Sequence, residues 1–167
     1  MRRLQNCGLE LGESLDRCNT RNVRLSEGEN YVISERDGLA VCQVWSRPEL
    51  SSEDGAKNAA QMVAFLRDRV LRAGARFRGV IFDVRRAPPV FGPKTRETLA
   101  GLLAQCARVG IRFSVITGES ATQVLQFRSL CAEAPAFTRV FDNEPAAVQW
   151  LRGSTAATAP VSRPSTR

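Results

Sequence analysis

The sequence predicts an α/β fold on a mixed, mostly parallel sheet, with the order β-β-α-β-α-β-α-β-α. Three observations carry this. Two β-rich runs, residues 31–35 and Leu39–Trp45, are joined around Asp37-Gly38, a dipeptide that suits a two-residue hairpin because both positions tolerate positive φ. Val80-Ile81-Phe82-Asp83-Val84 is almost continuously apolar, the signature of a parallel strand covered on both faces. Beyond it, short apolar runs alternate with stretches whose apolar residues recur at helical spacing, as in βα units with right-handed crossovers.

Each element follows in order. After the hairpin, Leu50-Ser51-Ser52-Glu53 opens a helix with serine caps, and Ala56, Ala59, Ala60, Val63, Leu66 and Val70 form its apolar stripe. Gly74 is its expected stop. The central strand at Val80 comes next, and a second helix starts at Pro93, a residue that suits the first helical turn. Its stripe is Leu99, Leu102, Leu103, Cys106 and Val109, and Gly110 ends it. Residues 111–117 read as a strand. Ser120-Ala121-Thr122-Gln123 reads as a capping box, Ser120 capping and Gln123 reaching back, ahead of a helix carrying Val124, Phe127, Leu130, Cys131 and Ala134. Residues 137–141 are a last short strand, and Asp142-Asn143-Glu144-Pro145 caps a final helix bearing Val148 and Leu151.

These elements occupy residues 29–152, long enough for an independent core. Residues 1–28 show no clear period and read as a loosely ordered arm with an N-terminal hairpin after it; residues 153–167 are small, polar and proline-containing and read as a disordered tail. At 43% hydrophobic residues, the 167-residue chain has the composition of one globular domain with some tail. No apolar run approaches the ~18 residues of a membrane span, and the N-terminus lacks the apolar core of a secretory signal.

Composition also excludes chemistry. The chain has no histidine, which removes histidine acid–base catalysis, histidine triads and histidine metal ligands. Its five cysteines, Cys7, Cys18, Cys42, Cys106 and Cys131, form no C-x-x-C pair, so no metal site and no cofactor is expected. Cys42, Cys106 and Cys131 fall on apolar patterns, where cysteine acts as a small hydrophobe, and the protein reads as cytoplasmic and reduced. The net charge of +7 is spread out: five arginines against four acids in 1–28, two arginines in 153–167, and a net +4 in 29–152. Arginine outnumbers lysine 22 to 2. With no reader motif beside this charge, it is a mildly basic surface, and no specific nucleic acid is expected.

The opening hairpin, the strand Gly79-Val80-Ile81-Phe82-Asp83-Val84 with its loop and helix, and the ending Arg139-Val140-Phe141-Asp142-Asn143-Glu144-Pro145-Ala146-Ala147-Val148-Gln149-Trp150-Leu151 together resemble the STAS family, the anti-sigma-factor antagonists and their relatives. The resemblance spans about residues 31–151. It implies a bacterial signalling module without enzymatic activity, which docks a partner protein, an anti-sigma factor or sensor-kinase-like protein, under control of phosphorylation. In the antagonists the modified serine lies in a D-S-S-G-type turn between this strand and this helix. The matching turn here, about Phe91-Gly92-Pro93, has no serine and no preceding aspartate. The chain thus resembles a divergent member lacking the phosphoacceptor serine. The nearest hydroxyls, Thr95 and Thr98, are the candidate phosphorylation sites. Some relatives instead bind small ligands or hold complexes together.

Two strand-to-helix turns share the sheet edge where open α/β folds keep their working residues. In loop 85–95, Arg85, Arg86, Val90, Phe91, Lys94 and Thr95 are the candidate partner-binding residues. Arg85, Arg86 and Lys94 also suit an anion at the helix N-terminus. The other reading of this loop is a proline-stiffened surface turn with solvated arginines. Gly92-Pro93-Lys94-Thr95 is no P-loop, because proline stands where a phosphate-binding N–H is needed. Phe91 either anchors a partner or an apolar ligand, or folds back over the sheet edge. Asp83 lacks a second titratable group that would make it a general base, and Arg85 two residues on predicts an ion pair. In the other turn, Thr117, Gly118 and Ser120 are candidate anion or partner contacts, or simply a glycine turn with a serine cap. Trp45 reads as a strand-end core residue. The leading expectation is a docking module; the alternative is a carrier of a small apolar or anionic ligand held under Phe91 and the second helix.

Overall fold

In a computed structural model, residues 22–72 and 76–153 are described. Six strands form one sheet in sequential order: β1 (Val23–Glu27), β2 (Tyr31–Arg36), β3 (Leu39–Trp45), β4 (Gly79–Arg86), β5 (Arg112–Ile116) and β6 (Thr138–Phe141). β1, β2 and β3 pair antiparallel; β3 through β6 pair parallel. The expected mixed, mostly parallel α/β sheet is therefore present.

The β2–β3 turn is set by two residues. Arg36 pairs with Leu39, leaving Asp37 at φ 54° and Gly38 at φ 73°. Positive φ at both central positions is the type I′ geometry whose twist matches the flanking strands. The hairpin is not terminal, however. Residues 23–27 of the expected loose arm form β1, which adds an edge strand to β2 and is irregular between Arg24 and Ser26. Val23 is exposed and Leu25 only half-buried, so β1 has little apolar signal of its own and is held by pairing. The rest of the arm (1–21), the tail beyond 153, Cys7, Cys18 and Gly74 lie outside the described residues.

Helices α1 (Ser52–Phe65), α2 (Pro93–Val109) and α3 (Ala121–Cys131) connect the parallel strands, and α4 (Glu144–Arg152) follows β6. In a sequentially ordered parallel sheet, crossovers of one hand put their helices on one face. Accordingly, residues of α1, α2 and α3 share a large core with Ile33, Cys42, Val80, Phe82, Val84, Phe113 and Val115. The opposite face buries Leu39, Val41, Ile81 and Ile116 against Ala147 and Leu151 of α4. Alternate residues of β4 thus serve both cores, which explains its unbroken apolar run.

The helical stripes depart from expectation in places. Along α1, Asn58 and Met62 are buried while Ala60 is exposed, because this face turns toward β3, where the Cys42 thiol meets Met62 Sδ at 3.2 Å. The helix continues as a π-helical segment, Leu66–Leu71, closed by Arg72 N–H donating to the Arg67 carbonyl. That widening keeps Leu66, Val70 and Leu71 on the buried side. On α2, Leu99, Leu102, Leu103 and Cys106 are buried as expected, but Val109, in the last turn, is half exposed. On α3, Gln123 takes a buried place and Val124 is only half-buried.

Candidate functional site

The region of interest lies at the carboxyl end of β4, where the strand leaves the sheet and runs through residues 87–92 into α2. Asp83 and Arg85 alternate along one side of the strand, and Arg85 folds back on Asp83. Its Nε donates to Oδ1 at 2.9 Å and its Nη2 to Oδ2 at 2.7 Å, while the Arg85 backbone N–H adds a third bond to Oδ1 at 3.2 Å. Burial opposes ionisation of Asp83, but the Arg85 hydrogen bonds and charge outweigh it and hold the carboxyl below the usual range. Asp83 is a locked carboxylate, not a base. Arg85 is correspondingly engaged, so its fork is not free for an anion.

The loop beyond is pinned from α3. Gln123, 2% exposed, donates through Nε2 to the carbonyls of Val84 (3.0 Å) and Pro88 (3.3 Å) and accepts through Oε1 from the Gly118 N–H (3.1 Å). The expected capping box is therefore half realised. Ser120 Oγ accepts from the Gln123 backbone N–H, but the Gln123 side chain reaches across to the neighbouring turn instead of back. The reason is bookkeeping of donors: Pro88 and Pro89 supply no N–H, so loop carbonyls need one from elsewhere.

This arrangement also answers for Thr117, Gly118 and Ser120. Thr117 is buried, with its N–H and hydroxyl both directed to the Phe141 carbonyl. Gly118 gives its N–H to Gln123, and a Cβ there would lie 3.2 Å from the Arg85 carbonyl oxygen. Ser120 is spent on the α3 cap. The polar groups of this turn make internal hydrogen bonds, in the arrangement of a glycine turn with a serine cap.

Loop 85–95 divides into an outward and an inward part. Arg86, Val90 and Lys94 are exposed, Val90 at 56%, and no salt bridge among the described residues engages Arg86 or Lys94. Phe91 turns inward. Its ring lies 5.1 Å from that of Phe127, which in turn lies 6.0 Å from Phe82, and its N–H donates to Gln126 Oε1 at 3.4 Å. Thr95 is half-buried on the inner side of α2; Thr98 donates its hydroxyl to the Lys94 carbonyl one turn back. Trp45, at the end of β3 opposite Arg86, is half-buried, short of a core position.

Behind Phe91, between the first turns of α1 and α2, is a cavity of about 250 Å3. Its wall is mainly apolar, including Met62, Phe82, Val84, Leu99, Phe91 and Phe127, with Asn58 from α1 and Thr95 from α2 among its polar residues. Sequence reasoning located Phe91 and α2 here but missed Asn58, and gave Gln123 only a role in the α3 capping box. The prolines after β4 were the available signal for Gln123, since they leave carbonyls without local donors.

Among the described residues, no group of three histidine, cysteine or acidic side chains could hold a metal ion, and no helix is long and apolar enough to cross a membrane. No family model matches the chain, and no curated protein matches it. Among solved structures, it is similar to the NMR structure of the protein TM1081, with a TM-score of 0.55 and 14% identity over 78% of this chain and 94% of that one. At that identity the likeness is one of fold: the described residues form an α/β domain with a six-stranded mixed sheet and four α-helices.

Proposed function

We propose that this domain is a non-enzymatic, STAS-type docking module that binds a partner protein through the outer side of loop 85–95. The observation carrying this is the pairing of a fixed loop backbone with unspent side chains. Gln123 holds the Val84 and Pro88 carbonyls, while Arg86, Val90 and Lys94 stand outward without internal partners. An apolar group flanked by cations, on a scaffold that loses little entropy on binding, is how loops anchor partners. An anti-sigma factor or sensor-kinase-like protein with an acidic, apolar-centred surface is the partner class that fits, in the cytoplasm. The locked Asp83 and the lack of histidine support the absence of catalysis.

Quantitative affinity purification from the native source tests this, with wild type compared against Arg86→Glu combined with Val90→Asp. Both positions are exposed, so the variant is expected to keep its fold and its unfolding midpoint. Loss of a specific partner with the variant is the expected result; equal recovery of every partner rejects the docking reading. Thr95 and Thr98 belong to this proposal as phosphorylation sites. Thr95 lies in the first turn of α2, where the helix dipole favours added negative charge.

A second reading, carriage of a small ligand, is favoured by one observation, the apolar cavity under Phe91 and α2. Native mass spectrometry of freshly purified protein checks it through a co-purifying mass.

A further inference from the structure

We infer that the cavity behind Phe91 is a binding site for a small neutral molecule, mostly apolar and bearing one amide or hydroxyl group that meets Asn58. The inference rests on the carrier reading and adds the ligand's size, charge and polar contact.

Asn58 is the central observation. It is 7% exposed, on the buried side of α1, and lines the cavity. A buried side-chain amide has two donors and an acceptor to satisfy, and native proteins nearly always satisfy them. No hydrogen bond within the described residues engages the Asn58 side-chain amide, whose atoms are not sealed in the core but open onto the cavity, although its neighbours Met62, Val63 and Leu66 complete an apolar helix face. An alanine or leucine at this position would complete that apolar face, so the amide serves what fills the cavity rather than the helix packing. A polar group kept there, facing a cavity, has its partner in the cavity.

Charge and size narrow the class. Apart from Tyr31, the ionisable residue on the wall is Arg47, whose guanidinium is bonded to Glu49 and to the Glu29 carbonyl at the exposed rim. A carboxylate or ammonium placed inside loses its hydration with no opposite charge to meet it, whereas an amide or alcohol needs only the Asn58 amide and the Thr95 hydroxyl. A volume of about 250 Å3 lies below the range of drug-sized pockets and well above a single water. At roughly 25–30 Å3 per non-hydrogen atom, it accommodates about eight to ten of them. Val90 at the exposed rim and Phe91 against Phe127 stand where such a molecule enters.

The test is a two-dimensional 1H–15N NMR titration of the full chain with three probes: octanamide, octanoate and toluene. Octanamide is expected to shift the Asn58 side-chain NH2 pair and the amides of Met62, Phe91 and Gly92 saturably, and octanoate to bind about tenfold or more weakly. In Asn58→Leu, octanamide is expected to lose about tenfold in affinity while toluene binds as in wild type, which also shows that the variant is folded with its cavity intact. Ala59→Phe, which fills the cavity from α1, is expected to abolish binding of all three. Octanoate binding as well as octanamide, or Asn58→Leu binding octanamide undiminished, overturns the neutral-ligand inference and leaves the carrier reading standing. If no probe shifts the cavity residues of the wild type, or if Ala59→Phe binds unchanged, both are overturned.

Discussion

Gln123 Nε2 donates a 3.0 Å hydrogen bond to the carbonyl of Val84, tying the first turn of α3 to the carboxyl end of β4. The same amide holds Pro88 and Gly118, so one buried side chain fixes two adjacent strand-to-helix turns. The working surface therefore rests on a residue that takes no outward part in it.

Replacing Gln123 should loosen that surface before it unfolds the domain. In Gln123→Leu, the Pro88 carbonyl and the Gly118 N–H lose their partners, while Val84 retains the Ala87 N–H at 3.0 Å. Two part-buried groups left without partners cost about 1–2 kcal/mol, read as a lower urea midpoint at unchanged m-value. Hydrogen exchange should accelerate at Ala87 and Gly118 more than at the β4 core amides. Uniform acceleration across the sheet contradicts the pinning role.

How far the sequence discloses this site depends on how local each cause is. The Asp37-Gly38 hairpin, the apolar β4 and the Ser51, Ser120 and Asn143 caps are legible because each depends on neighbours within a few residues. The Asp83–Arg85 pair is legible for the same reason. β1 was not, because Val-Arg-Leu-Ser-Glu buries little and becomes a strand only by pairing with β2. Gln123 sat in a capping pattern that accounts for it locally, and only the meeting of α3 with the β4 loop redirects its side chain. The cavity depends on how α1 and α2 lean together above the sheet, which no residue spacing encodes.

Asp83 gives the domain an acid-sensitive contact. Because its carboxyl is held below the usual value in the folded state, the pair stabilises the fold at pH above the unfolded value of about 4. That contribution is lost as pH falls through the depressed folded value. With Arg85 44% exposed, solvent screening limits it to about 1 kcal/mol. Asp83→Asn should thus be less stable than wild type at pH 7 by about that amount, with the gap closing as pH falls through the depressed folded value in parallel denaturation series. A gap that widens on acidification contradicts the assignment.

The three described cysteines should be inert while the protein is folded. Burial pushes the Cys42 thiol far above its ordinary range, Cys106 up to about 12, and Cys131 upward as well. Thiolate is the reactive form, and none of these groups supplies it at pH 8. Iodoacetamide labelling followed by peptide mass spectrometry should leave Cys42, Cys106 and Cys131 unmodified in native protein and modify all three in urea. Labelling of Cys42 at native-state rates comparable to a free thiol shows that the β3–α1 packing opens.

Two glycines provide opposite outcomes from one substitution. Gly101 lies on the exposed side of α2, and a Cβ there meets nothing within 4 Å. Gly101→Ala should stabilise the domain by about 0.5–1 kcal/mol, through the lower chain entropy of alanine in a helix. At Gly118 the added Cβ would sit 3.2 Å from the Arg85 carbonyl oxygen, and the backbone on both sides is held, by Gln123 at Gly118 and by Asp83 at Arg85. The two turns must part by a few tenths of an ångström, so Gly118→Ala should destabilise by about 1 kcal/mol. Its thermal midpoint should fall below wild type while that of Gly101→Ala rises above it. The Gly118→Ala loss should also shrink in the Gln123→Leu background, where the turn is freer to move, and a double-mutant cycle measures that coupling. Strict additivity of the two changes shows that the turns are held together by something other than Gln123.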